Sequence, residues 1–89
     1  FEHLNSLQDT EIILLFKYIP AEILGMALKG TSVAFQRRVL TLADRNYAEM
    51  AFDVLVNPIT NEKVNNKRAQ SKVLETVRRM IRKQVLNVF

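Results

Sequence analysis

A chain of 89 residues, 48% hydrophobic, with one histidine, two glycines and neither cysteine nor tryptophan, has room for a single domain. Its one core hides roughly 60–65% of the surface that the extended chain exposes. Without cysteine there is no disulfide framework and no thiolate metal site, and two glycines are too few for a phosphate-cradling loop such as GxGxxG. The net charge of +4 divides unevenly: residues 1–60 carry five basic against seven acidic side chains, a balance of −2, and residues 61–89 carry eight against two, a balance of +6. Such a basic segment suits an acidic protein surface, nucleic acid or a headgroup layer, and equally a helix with a solvated outer face.

The pattern is helical nearly throughout. Ile12, Leu15, Phe16 and Ile19 form one stripe of a first helix, with Asp9 before them as N-cap or first-turn acid. Pro20 ends that helix and suits the first position of the next, whose Glu22 lies near the positive end of its dipole. Ile23, Leu24, Met26, Ala27 and Leu28 make a short second helix that stops at Gly30, a natural C′ residue. Gly25 inside it costs about 1 kcal/mol relative to alanine, which points to close helix packing or to a flexible point. Thr31 or Ser32 caps a third helix carrying Val33, Phe35, Val39, Leu40 and Leu42. Asp44 caps a fourth, lined on one side by Tyr47, Met50, Ala51, Val54 and Leu55.

Asn57-Pro58-Ile59-Thr60-Asn61 is the one clear loop. From Val64 to Leu86 nothing breaks a helix, and Ala69, Val73, Val77, Met80 and Ile81, with Leu74 beside them, form its apolar stripe. At about 30 Å this helix spans a small domain, and it is expected to be the spine on which the four shorter ones pack. The expected fold is therefore all-α, one domain over residues 1–89, with an armadillo-like, superhelical arrangement of the helix pairs. The longest apolar run, Ile12 to Phe16, is far short of the roughly 20 residues that cross a bilayer, so no membrane insertion is expected. No signal or transit segment is visible, and a first residue of Phe rather than Met suggests a C-terminal piece of a larger chain.

Catalytic chemistry is not expected, and neither is a cofactor or metal. His3 has no second histidine to share an ion, and Ser6, Ser32 and Ser71 have no histidine partner. Asp9 and Glu11 point in different directions on a helix, while Glu49 and Asp53 share a face as like charges. Arg78, Arg79, Arg82 and Lys83 form a basic surface that could neutralise phosphates. The segment lacks aromatic residues for base stacking until Phe89, so nucleic acid is an unfavoured partner. Laying the last helix on a membrane would conflict with burying its stripe in the core.

Phe1-x-x-Leu4-x-x-Leu7-x-Asp9, then Ala27-Leu28-Lys29-Gly30, Ala48-Glu49, Gln70 and Val77-Arg78-Arg79 together resemble the C-terminal domain of the flagellar motor switch protein FliG. The resemblance runs without a gap over nearly the whole chain. It implies an all-helical rotor domain of the flagellar basal body, at the cytoplasmic face of the inner membrane. Such a domain sits in a ring of its own copies with other switch-complex proteins, and generates torque where its charged helix meets the stator protein MotA. Lys29 matches a lysine implicated in that contact, Asp53 matches the first of two acids on the charged helix, and Asp44 and Glu49 keep its cap and early acid. Stator-facing charges are thus expected at Lys29, Asp53, Glu49 and Arg45, with Arg37 and Arg38 as neighbours.

Three positions depart from the family pattern: Asn46 and Glu62 stand where arginine is expected, and Val54 replaces the second acid. The family's Gly-Pro-Val-Arg loop is altered too. Asn57-Pro58-Ile59-Thr60 matches it only with a two-residue shift that removes the match at Asp53. These changes suit a divergent paralogue. The plain readings are that Lys29 is a last-turn lysine at its helix's negative end and Asp53 a solvated acid. The alternative function is a helical scaffold that binds another protein, or nucleic acid, through its basic C-terminal helix.

Overall fold

The computed structural model of the chain describes residues 1–83. A 3-10 turn, Glu2–Ser6, leads into five helices: α1 (Asp9–Tyr18), α2 (Ala21–Leu28), α3 (Val33–Leu42), α4 (Arg45–Val56) and α5 (Glu62–Arg82). Among the described residues there is no strand, and the all-α expectation is met. The expected Leu86 end of the last helix and Phe89 lie outside the described residues.

Local chemistry sets the helix ends. Asp9 takes the first helical position of α1, and the cap is Gln8, whose backbone N–H donates to Glu11 Oε1 at 2.9 Å. Pro20 is the N-cap of α2, one residue earlier than its fixed φ suggests. Ser32 and Asp44 cap α3 and α4 by accepting from the Phe35 and Tyr47 N–H groups at 3.2 and 2.9 Å. α5 begins two residues before Val64 because Asn61 adopts the left-handed conformation, φ 54°, and turns the chain at once into helix. Gly30 follows α2 with φ +82°, the C′ geometry its position predicts.

The core joins Leu4 and Leu7 to Ile12 and Leu15 of α1, Ile19 at its C-cap, Leu24, Ala27 and Leu28 of α2, Phe35 and Val39 of α3, and Ala69, Val73, Val77 and Met80 of α5. The α5 stripe is thus one long wall of the core, as its period predicts. What helix length does not predict is that α2, the shortest helix, is the hub. It packs extensively against both α4 and α5, and Ala21, Leu24, Gly25, Ala27 and Leu28 are all buried. A helix apolar on nearly every side belongs inside.

The carbonyls at the C-terminal end of α2 have no partners within the helix, and its neighbours supply them. Gln70 Nε2 donates to Ala27 O at 3.0 Å, Asn66 Nδ2 donates to Met26 O and Lys29 O at 2.8 and 2.9 Å, and Thr31 Oγ1 and Gln36 Nε2 both donate to Leu28 O. On the first helix pair, Arg38 ties α3 to the amino-terminal turn and α1, donating to Asn5 O, Leu7 O and Asp9 Oδ1.

Gly25 is where α2 and α4 touch. A Cβ built there would stand 2.4 Å from the Ala51 carbonyl oxygen, so of the two readings of this glycine close packing is the one realised. The α4 stripe is narrower than its sequence suggests: Ala51 is buried, Tyr47, Val54 and Leu55 are half-buried, and Met50 is exposed.

Tyr47 closes the gap between α4 and α1. Its ring lies 4.8 Å from that of Phe16 and its hydroxyl donates to Ile19 O at 2.6 Å. Burial, with the nearby Glu22 carboxylate, pushes the phenol well above the ordinary tyrosine range. A group whose pKa rises on folding contributes stability below its unfolded pKa, near 10, and loses it as pH climbs further. The protein is therefore expected to lose stability above about pH 10, and Tyr47→Phe should flatten that decline. Denaturant titrations at pH 8 to 11 check this, and equal slopes for the two proteins would contradict it.

Candidate functional site

The expected site residues separate into an inward and an outward set. Lys29 is inward. It is 7% exposed, a buried cation, and sits at the C-cap of α2 where the chain turns under the end of α4. Its Nζ donates to Leu55 O at 3.0 Å and Asn57 O at 2.7 Å and lies 3.2 Å from Glu62 Oε1. One ammonium thus joins the end of α2, the last turn of α4 and the start of α5. A buried charge needs such partners. Glu62 suits this place, since an arginine there would put a second cation beside this one.

The outward set lies on α4. Arg45 and Glu49 are both exposed and pair one turn apart at 3.0 Å, so much of their charge is spent on each other. Asp53 is exposed one turn further on, and its Oδ1 accepts from Asn57 Nδ2 at 3.1 Å, a neutral partner. Interleaved with these are Met50, Phe52 and Val56, each about half exposed. Sequence periodicity assigns Met50 to the core and is silent on Phe52 and Val56. The signal available was that Phe52 adjoins Ala51, so it must turn away when Ala51 faces Gly25.

Of the neighbours, Arg37 is exposed and Arg38 is held by its contacts to Asn5, Leu7 and Asp9. The basic surface of α5 is exposed at Arg78, Arg79 and Arg82, with Lys83 just beyond the helix. Arg79 pairs with Glu75 at 2.7 Å and holds its carboxyl below the usual carboxylate range. Among the described residues no group of His, Asp and Glu could hold a metal ion, and no helix is long and apolar enough to cross a membrane.

These features describe an all-helical fold with charged and apolar side chains on the outer face of α4 and a buried lysine behind its end. The family model of the FliG C-terminal domain matches residues 1–88, and the chain belongs to that family. It is a family of flagellar motor switch and rotor components on the cytoplasmic side, structural parts rather than enzymes. No curated protein and no solved structure matches the chain.

Proposed function

We propose that the chain is a torque-transmitting rotor domain that meets the stator protein MotA through the outer face of α4. It would work in a ring of its own copies, beside other switch-complex proteins, at the cytoplasmic face of the inner membrane. The observation that carries this is Asp53, an exposed carboxylate on α4 with no ion-pair partner among the described residues, beside an Arg45–Glu49 pair that largely cancels itself. Lys29 serves the contact from behind by holding the α4 terminus from which Asp53 projects. Glu49 and Arg45 shape the field around it. The basic end of α5 is the weaker surface, because Glu75 already neutralises part of it.

Contacts of this kind suit a rotor passing successive stators. Exposed ion pairs are worth at most about 1 kcal/mol each and are screened beyond a Debye length of about 8 Å at physiological salt. They form and break quickly and act mainly on partner choice and approach. Asp53→Lys should therefore abolish or severely reduce swimming in soft agar, while thermal unfolding shifts by no more than about 0.5 kcal/mol, as for other surface changes. Exchanging the pair as Arg45→Glu with Glu49→Arg should leave most motility intact. Normal swimming with Asp53→Lys would sink the proposal.

A further inference from the structure

Between α2, α4 and α5 runs an open groove of about 490 Å3, within the range of ordinary binding clefts. Its floor is apolar, made by Ile23 and Met26 of α2, Val54 of α4 and Ile59 of the loop. All four are half-buried rather than sealed in the core. Its walls carry opposite signs: Glu22 and Asp53 come from α2 and α4, and Arg68 and Lys72, one turn apart, from α5. None of these four exposed charges is in an ion pair among the described residues.

We infer that this groove is a docking site for an amphipathic helix of a partner protein, with an apolar stripe flanked by a basic edge and an acidic edge. The apolar floor would bury the stripe, and each wall would meet the edge of opposite charge. The two signs select the occupant. A membrane headgroup layer would be repelled by Glu22 and Asp53, and a nucleic-acid backbone likewise. Val54 is the floor residue that α4 contributes, so a carboxylate at this position would put a charge into the floor. The inference does not rest on the stator contact: a stator that ignored Asp53 would leave the groove and its test unchanged.

The probe is a synthetic helical peptide of about 14 residues with leucines at i, i+3, i+4 and i+7, lysines along one edge of the stripe and glutamates along the other. Reversing a helix in the groove swaps its two edges, so one mixed peptide suffices: it takes the direction that sets its lysines against Glu22 and Asp53 and its glutamates against Arg68 and Lys72. Its controls carry only lysines or only glutamates on both edges. Fluorescence anisotropy with the intact protein should show the mixed peptide binding roughly tenfold tighter than either control, the scale of a few exposed ion pairs. Val54→Asp should lower that affinity about as much with an unchanged melting curve, again near tenfold. The double variant Arg68→Glu with Lys72→Glu, which makes both walls acidic, should make the all-lysine peptide the tightest of the three. Equal binding of all three peptides, or an order unmoved by the double variant, would overturn the inference. So would saturation by a small apolar dye without peptide binding, or self-association lost in Val54→Asp, which would assign the groove to a second copy.

Discussion

Gly25→Ala is expected to lower the stability of this domain by roughly 2 kcal/mol or more, although alanine is the better helix former by about 1 kcal/mol. The added methyl would lie 2.4 Å from Ala51 O and 3.1 Å from Ala51 Cα and carbonyl carbon. These are backbone atoms of a packed helix, so no side chain can swing aside, and α4 must move away from α2 instead. Overpacking of this kind costs about 1–3 kcal/mol, occasionally more. In a domain of this size each kcal/mol shifts Tm by roughly 4–8 °C, so the melting temperature should fall by about 10 °C. Ala51→Gly should not rescue it, because the collision is with the carbonyl rather than with the Ala51 methyl. Gly30→Ala makes the contrast: nothing lies within 4 Å of its Cβ position, and its cost is only the left-handed backbone, roughly 1–2 kcal/mol. Chemical denaturation of the three variants separates crowding from backbone strain, and a Gly25→Ala protein as stable as wild type would show that α2 and α4 are not locked at this crossing.

Lys29→Met should be at least as damaging. Methionine keeps the length and apolar stem but removes the ammonium that serves Leu55 O, Asn57 O and Glu62. Each buried polar group left without a partner costs about 1–3 kcal/mol. Breaking a fully buried ion pair costs about 3–5 kcal/mol, an upper bound here because Glu62 is nearly half exposed. A net loss of roughly 2–4 kcal/mol is expected, a large share of the 5–15 kcal/mol that keeps a typical domain folded. Hydrogen exchange should quicken first over residues 55–62, where α4 ends and α5 begins. Glu62→Arg should cost about 1–2 kcal/mol, since a partly exposed attraction becomes a repulsion. If Lys29→Met unfolded like wild type yet abolished swimming, the lysine would be acting on the partner directly rather than as a brace.

At the start of α5 this chain has a carboxylate, Glu62, that Lys29 pairs with. Lys29 is thereby withdrawn from the surface and serves as a support for α4, while Glu62 stays nearly half exposed. On α4, Asp53 is the exposed charge without an ion-pair partner among the described residues, beside a self-paired Arg45–Glu49, an exposed Asn46 and three half-exposed apolar residues.

Much of this protein is settled by the order of its residues alone. Helix positions follow from apolar spacing and from caps that act within three or four residues, so Ser32, Asp44 and Gly30 mark their termini without reference to the rest of the chain. The family too is legible, because Ala27-Leu28-Lys29-Gly30 and its flanking elements stand at fixed distances along the sequence. The tertiary structure decides what depends on residues far apart. Lys29 reads as a surface charge until Leu55, Asn57 and Glu62 close around it, 26 to 33 positions away. Gly25 reads as a close packing point or a flexible one until Ala51 is placed against it. The groove belongs to no single helix, since its floor and its two oppositely charged walls come from three helices and a loop. Local propensity is written in neighbouring residues, whereas burial and the pairing of charges are set only when distant segments meet.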